Sequence, residues 1–111
     1  MRTRSESLQS VSPQELIRLM NQGALVLDLR PAEQYQAGHL NGARQMNSEQ
    51  ILNAGDTLKK HKEKTVVVYD DSGSLGAAAV RQLAGQGFTR VFALRGGVAA
   101  WRADNLPLSR A

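Results

Sequence analysis

Hydrophobic and polar residues alternate along this chain in blocks that predict strands separated by helices. Short continuous apolar runs are typical of strands buried on both faces of a sheet, and they occur at 24–27, 65–69 and 90–94. Segments with apolar residues at helical spacing lie before, between and after these runs, at 13–22, 77–86 and 98–103. Since strands that alternate with helices form βαβ units, we predict an α/β fold in which a mostly parallel sheet carries helices on both faces.

Local signals mark the ends of two of these helices. Ser12 is suited to cap the first helix, because Pro13 fits the first helical position and Glu15 can complete a capping box. Gly87 fits the left-handed position that follows the last turn of helix 77–86. We therefore expect the first helix to begin at Pro13 and the later one to end just before Gly87.

The middle of the chain is patterned more weakly. We predict a helical turn at 31–36 and a short strand at 44–46. Asn47 or Ser48 then caps a single helix whose apolar residues lie on one side, namely Ile51, Leu52 and Leu58. Gly55 falls inside this helix and weakens it.

Length and composition indicate one globular domain. The chain has 111 residues, of which 41% are hydrophobic and 22% charged, and we predict a flexible N-terminal segment at 1–7 followed by a single domain at 8–108. Cysteine is absent, which excludes disulfides, thiolate catalysis and cysteine-ligated metals for this chain. With His39 and His61 as the only histidines, we expect neither a metal nor a cofactor.

The charge balance is basic, with a formal net charge of +4 and a pI of about 10.0. The basic residues are dispersed except in 59–64, and few aromatic residues accompany them, so we predict no nucleic-acid partner. We interpret 59–64 as a solvated helix end rather than a site for an anionic partner or a membrane surface. No apolar run approaches the roughly 18 residues that span a bilayer, and we expect a cytoplasmic location.

The segment between strand 65–69 and helix 77–86 is the strongest candidate for a functional site. Loops at this place in α/β folds gather backbone N–H groups and the positive end of a helix dipole, so they favour anions or nucleophiles. Here the loop contains two acids and no thiol; it comprises Asp70, Asp71, Ser72, Gly73, Ser74, Leu75 and Gly76.

Asp70 and the two loop glycines each have a structural and a functional interpretation. Asp70 either stabilises the loop and the helix start or acts as an acyl-phosphate nucleophile, and we favour the first. Asp71 or Ser72 is the alternative helix cap. Gly73 and Gly76 permit either a tight turn or the close approach of a ligand to the backbone.

Three segments in order resemble the rhodanese homology domain. Residues 28–43, DLRPAEQYQAGHLNGA, resemble the family signature DVRxxxEYxxGHIPGA. Residues 67–69 resemble the strand that leads into the family's active-site loop, and residues 87–101, GFTRVFALRGGVAAW, resemble its ending GFxxVxxLxGGxxAW. The resemblance implies a three-layer fold with a five-stranded, mostly parallel sheet, in which residues 8–11 form the short edge strand.

The same resemblance implies a lost activity. Active members carry CxxGxRS in the loop, where the cysteine forms a persulfide and the arginine binds the substrate oxyanion. The nucleophile position falls on Asp70 and the arginine position on Leu75, while the glycine matches Gly73. We therefore expect a vestigial active-site loop without sulfurtransferase activity, in a binding or regulatory module with an unknown protein partner. Weak anion binding is expected through Gly73, Ser74, Gly76 and Arg30.

Two enzymatic alternatives stay open. A partner protein could complete a thiosulfate sulfurtransferase-like site, or Asp70 could support weak phosphoester chemistry. The overall pattern is similar to the soluble part of bacterial membrane-anchored rhodanese-like proteins, which implies membrane tethering only through a segment absent from this chain.

Framework roles are expected for four residues outside the loop. Asp28 and Arg30 follow a buried strand, and we favour an ion pair or backbone hydrogen bonds over substrate contact. We interpret His39 as a hydrogen-bonded structural residue rather than a general base, and Trp101 as part of the core.

Overall fold

The computed structural model describes residues 9–110, and these form one sheet with helices on both faces. The strands are β1 (Ser10–Val11), β2 (Leu25–Asp28), β3 (Arg44–Gln45), β4 (Thr65–Tyr69) and β5 (Arg90–Leu94). The α-helices are α1 (Pro13–Asn21), α2 (Ala32–Ala37), α3 (Ser48–Ile51), α4 (Ala54–Thr57), α5 (Gly76–Gly85) and α6 (Gly97–Ala103). A 3-10 helix at Lys59–His61 precedes β4.

The five strands are ordered β1-β5-β4-β2-β3, and each neighbouring pair is parallel. In register, Val26 on β2 lies beside Val67 on β4, which in turn lies beside Phe92 on β5. The predicted five-stranded parallel sheet is confirmed. Because β4 is central, the loop that follows it lies in the middle of the carboxyl edge of the sheet.

Alternating residues of β4 supply two separate cores. Val66 and Val68 pack in a cluster with residues of α3, α4 and α5, whereas Val67 and Tyr69 pack in a cluster with residues of α1 and α6. All four of these β4 residues are buried, as the continuous apolar run predicts for a strand covered on both faces.

The clearest local predictions are confirmed. Ser12 and Glu15 form the predicted capping box at the start of α1. The residues of β4 and β5 are those of the predicted strands. Gly87 has a φ of +99° after α5, and the N–H groups of Gly87 and Phe88 donate to carbonyls of that helix's last turn. The predicted edge strand begins at Ser10 within the described residues; Leu8 and the predicted flexible segment 1–7 lie outside them.

The predicted single helix after Asn47 is wrong, although Asn47 caps α3 with a capping box. The chain breaks between α3 and α4 because the Gln86 side chain takes the place of a helical hydrogen bond. In a continuous helix the Gly55 N–H would donate to the Ile51 carbonyl; instead it donates to Gln86 Oε1 at 2.6 Å, and Gln86 Nε2 donates to the Ile51 carbonyl at 2.8 Å. Leu52 is consequently 58% exposed rather than buried.

Hydrogen bonds hold the C-terminal segment against the rest of the domain. Trp101 is buried, as predicted, and its Nε1 donates to the Pro107 carbonyl at 2.8 Å. Ser109 pairs with His39 through two backbone hydrogen bonds, so ordered contacts continue one residue beyond the predicted domain end at Leu108. Within 9–110, none of the helices is long and apolar enough to cross a membrane.

Candidate functional site

The candidate loop connects the end of β4 to the start of α5 and lies against the first turn of α6. Its position at the carboxyl edge of a parallel sheet is where α/β folds form ligand crevices. A groove of about 480 Å³ runs beside it, bounded at one end by Ser72, Gly73, Arg95 and Gly96. Apolar residues of α5 and β5 contribute much of the rest of this groove, together with Gln9, Ser10, Arg81, Phe88 and Thr89.

Asp70 organises the loop from within. Its side chain is only 4% exposed and points toward the loop's own backbone. One carboxylate oxygen accepts from Gly73 N at 2.6 Å, and the other accepts from Leu75 N at 2.8 Å and Ser74 Oγ at 3.3 Å. These contacts match the loop-stabilising role predicted for Asp70, and they take up two N–H groups that would otherwise be available to an anion.

The alternative prediction that Asp71 or Ser72 caps α5 is wrong. Leu75 occupies the N-cap position, and no side chain accepts a capping hydrogen bond there. The reason is that the Asp70 carboxylate accepts from the N–H groups of Gly73 and Leu75, which precede the helix, and α5 begins only at Gly76. Asp71 is instead 66% exposed, with Oδ1 at 3.8 Å from Arg30 Nη1.

The first turn of α6 donates its backbone N–H groups to the loop. Val98 N donates to the Asp70 carbonyl and Ala99 N to the Asp71 carbonyl, each at 2.9 Å. Gly97 permits this approach, because a Cβ there would lie 2.5 Å from the Asp70 carbonyl oxygen. The positive end of the α6 dipole is therefore directed at protein carbonyls.

The two loop glycines are required by close packing. Gly73 has a φ of +97°, and a Cβ there would lie 3.1 Å from Gly96 N. A Cβ on Gly76 would lie 2.7 Å from that of Ala93 on β5. Both positions therefore have a structural reason to be glycine. Anion binding by Gly73, Ser74 and Gly76 stays a prediction.

Asp28 and Arg30 form the predicted ion pair beneath the loop. Asp28 is fully buried, and its carboxylate accepts from Arg30 N at 2.9 Å, from Arg30 Nε at 3.0 Å and from Arg30 Nη2 at 2.8 Å. Arg30 Nη2 also donates to the Gly38 carbonyl at 2.5 Å. Since the guanidinium is buried and engaged on several sides, these contacts favour a framework role for Arg30 over the predicted ligand contact.

Tyr69 connects this ion pair to the strand that delivers the loop. Its hydroxyl donates to Asp28 Oδ2 at 2.7 Å and accepts from Leu40 N at 3.0 Å. Burial, together with the hydrogen bond to Asp28, raises the pKa of Tyr69 well above its ordinary value, so the phenol stays a donor. The hydrogen bond to Asp28 raises the pKa of Arg30 as well, against the opposing effect of burial.

His39 has the structural role that was predicted. It is buried, and its Nδ1 donates to the Tyr35 carbonyl at 2.7 Å. The imidazole of His39 also stacks on the phenol ring of Tyr35, with ring centroids 3.8 Å apart. Within the described part of the chain, no group of three or more acidic or histidine side chains could hold a metal ion.

Tyr69 and Gly97 are parts of the site that the sequence alone did not predict. The hydrophobic pattern places Tyr69 only at the end of a strand, but a tyrosine beside an acid at the end of a buried strand signals a hydroxyl that needs a partner. The pattern places Gly97 only in a turn. The two consecutive glycines at 96–97 were the available signal for a close backbone approach.

Comparisons with known proteins agree with this architecture. A family model described as a rhodanese-like domain matches residues 12–104. The uncharacterized protein YibN of Escherichia coli strain K12 is 40% identical over 99 residues, which cover 86% of this chain and 68% of YibN. The thiosulfate sulfurtransferase GlpE of Pseudomonas entomophila strain L48 is 34% identical over 92 residues, which cover 83% of each protein.

Solved structures with the same fold include one from Anabaena and one from Bacillus halodurans. The rhodanese-like domain of the Anabaena protein Alr3790 matches with a TM-score of 0.79 and 27% identity, over 93% of this chain and 80% of that one. The Bacillus halodurans protein BH2092 matches with a TM-score of 0.80 and 28% identity, over 96% of this chain and 80% of that one.

Proposed function

The chain belongs to the rhodanese-like domain family, and on that premise we propose that it is a binding or regulatory module without sulfurtransferase activity of its own. The observation that carries the proposal is the Asp70 carboxylate, buried in the centre of the loop that follows β4. We infer that Asp70 stands where active relatives hold the sulfur-accepting cysteine. A carboxylate cannot form a persulfide, and no cysteine is present anywhere in the chain.

The electrostatics of the loop also oppose an anionic substrate. Thiosulfate is an anion, and a second negative charge 4 Å from it costs about 1 kcal/mol in water and more where water is excluded. The N–H groups of Gly73 and Leu75, which point into the loop, already donate to Asp70. Leu75, which we place at the arginine position of active relatives, provides no cation. The loop is thus filled by its own acid.

The outer surface of the same loop is suited to contact a protein. Leu75 is 46% exposed and Asp71 66% exposed, so the loop presents both an apolar side chain and a negative charge to solvent. The groove beside the loop adds apolar surface from α5 and β5. Apolar surface that continues over several neighbouring residues is typical of an interaction site.

A thiosulfate:cyanide sulfurtransferase assay tests the absence of activity. The purified chain should form thiocyanate no faster than a heat-treated sample, whereas the GlpE protein of Pseudomonas entomophila, assayed in parallel, should be active. Turnover clearly above the heat-treated sample would overturn the proposal.

Two bait variants test the proposed interaction surface. Leu75→Glu should abolish capture of a physiological partner that the native chain captures, while Leu52→Glu, a matched change at the other large exposed apolar residue of the described chain, should leave capture intact. Equal loss with both variants would mean that the loop is not the interaction surface. If the captured partner supplies a thiol, thiocyanate formation should appear only when partner and chain are mixed.

Phosphoester chemistry and cellular location are two further proposals, and each has its own test. Phosphoester chemistry by Asp70 would give a Mg²⁺-dependent activity that Asp70→Asn abolishes; the three hydrogen bonds to this carboxylate favour its structural role instead. A cytoplasmic location, with a membrane tether contributed by a longer parent protein, is tested by fractionating cells that express the full-length gene product.

A further inference from the structure

A second cleft lies at the opposite end of the sheet from the loop. It has a volume of about 300 Å³ and is formed where α1 ends and where β4 and β5 begin. The four steps along β4 from Thr65 to Tyr69 separate it from the loop by about 13 Å at a rise of 3.3 Å per residue.

Two cations line this cleft without an acid to balance them. Arg90, the first residue of β5, is the register partner of Thr65, and Lys64 directly precedes β4, so both cations line the cleft where the two strands begin. Lys64 and Arg90 are both exposed, and no Asp or Glu lines the cleft. Over residues 9–110 the ion pairs of the protein both involve Arg30, so neither Lys64 nor Arg90 is neutralised by a carboxylate there.

The surroundings add to the positive potential. Lys60 lies near enough to His61, which precedes β4, that Lys60 and Lys64 both act electrostatically on that residue. Like charges gathered in one place destabilise the folded protein by self-repulsion, and a bound anion relieves that repulsion. Glu63 precedes Lys64 in the chain but does not line the cleft.

The donors in the cleft suit an oxyanion. Arginine presents a planar fork of N–H groups that matches carboxylate and phosphate, and lysine adds a point charge. The Gln22 amide and the Thr65 hydroxyl supply neutral donors at the same cleft. Gly23 leaves the rim open, since the space beside its Cα is empty within 4 Å. A cleft of this volume is at the small end of the range for small-molecule sites.

We propose that this cleft binds a small dianion, of the phosphate monoester or dicarboxylate type, held by Arg90 and Lys64. Nothing in the function of the loop requires such a site, and it lies far enough away that the two can be occupied together. It gives the module a means of sensing a small anionic metabolite.

An NMR titration of the whole chain with inorganic phosphate, and in parallel with succinate, tests the proposal. At constant ionic strength and mildly alkaline pH, one of the two anions should cause saturable amide shifts clustered at residues 22–24, 64–65 and 90, with half-saturation at or below about 1 mM. Tighter binding of either anion supports the site, and the anion that binds more tightly shows whether the cleft recognises phosphate or a dicarboxylate. Shifts that do not saturate, or that cluster at 70–76 instead, overturn it.

Charge variants keep the test specific. Lys64→Gln and Arg90→Gln should each weaken binding about tenfold, as expected for the loss of a charge-assisted hydrogen bond. Lys59→Gln removes an exposed cation of the same basic segment that does not line the cleft, and it should change binding less than about twofold. Equal weakening by Lys59→Gln and Lys64→Gln would show a diffuse basic surface and overturn the proposal.

Discussion

At the scale of single residues, two buried carboxylates are stabilised in different ways. Asp28 is balanced by the guanidinium of Arg30 and by the Tyr69 hydroxyl. Asp70 accepts hydrogen bonds from two backbone N–H groups and the Ser74 hydroxyl, and none of these donors is a cation. Hydrogen bonds to a charged group stabilise it by about 1.5–3 kcal/mol each. Asp70 therefore contributes to stability through the loop that it closes.

Replacing Asp70 should destabilise the protein. Asp70→Asn replaces one carboxylate oxygen by an NH₂ group, which would face a backbone N–H donor and could not accept its hydrogen bond. The free energy of unfolding measured in urea should therefore fall by about 1–3 kcal/mol. The control, Asp71→Asn, alters an exposed acid and should change it by less than about 0.5 kcal/mol. An acid kept for chemistry at the expense of stability would behave in the opposite way, with Asp70→Asn neutral or stabilising.

At the scale of secondary-structure elements, the loop is stabilised by contact between α6 and the end of β4. The first-turn N–H groups of α6 donate to the carbonyls of Asp70 and Asp71, and Gly97 makes the approach sterically feasible. The loop is thus part of the packing of the sheet edge. A second element, the 3-10 helix at Lys59–His61, lies before β4 and contains a histidine among cations.

Gly97→Ala should disrupt the α6 contact. Its φ is +59°, and the added Cβ would lie 2.5 Å from a carbonyl oxygen, so α6 must shift and unfolding should become easier by about 2 kcal/mol or more. Gly85→Ala is the matched control, because Gly85 is the last residue of α5 with open space at its Cβ position. It should be neutral or stabilising by up to about 1 kcal/mol. Similar losses from both substitutions would contradict the close approach described for α6.

His61 should make stability depend on pH in the mildly acidic range. Burial, followed by the charges of Arg44, Lys64 and Lys60, holds the pKa of His61 below its ordinary value, and its Nδ1 is buried without a hydrogen-bond partner among the described residues. The unfolded chain takes up this proton near the ordinary value of about 6.5, while the folded protein resists it. Stability is therefore complete above about pH 6.5 and falls as the pH drops below it.

Urea unfolding at about pH 7.5 and about pH 5.5 measures this effect. His61→Gln should lose less stability between the two pH values than the native chain does. If both proteins lose the same amount, His61 does not contribute to the acid sensitivity.

At the scale of the whole molecule, the sequence predicted what local patterns determine. The order of strands and helices, the capping box at Ser12 and the ion pair of Asp28 with Arg30 all involve residues close together in the chain. The insertion of Gln86 between Ile51 and Gly55 depends on tertiary packing that no local pattern encodes. For the same reason the sequence did not predict that α6 would donate to the loop.

The family resemblance adds what neither local pattern nor geometry supplies, namely which residues the loop would need for sulfur transfer. We interpret the molecule as an intact rhodanese-like scaffold in which a thiol is missing at Asp70 and a cation at Leu75. Asp70→Cys would remove the buried acid and release the N–H groups of Gly73 and Leu75 for an anion. Leu75→Arg would supply the fork that binds an oxyanion.

Rates of thiocyanate formation from thiosulfate and cyanide by the Asp70→Cys, Leu75→Arg and doubly substituted chains test this interpretation most directly. We expect almost no turnover from either single variant and a clear gain from the double variant, greater than the sum of the two. If the double variant were no more active than Asp70→Cys alone, or if the unaltered chain were already active, the account would be contradicted.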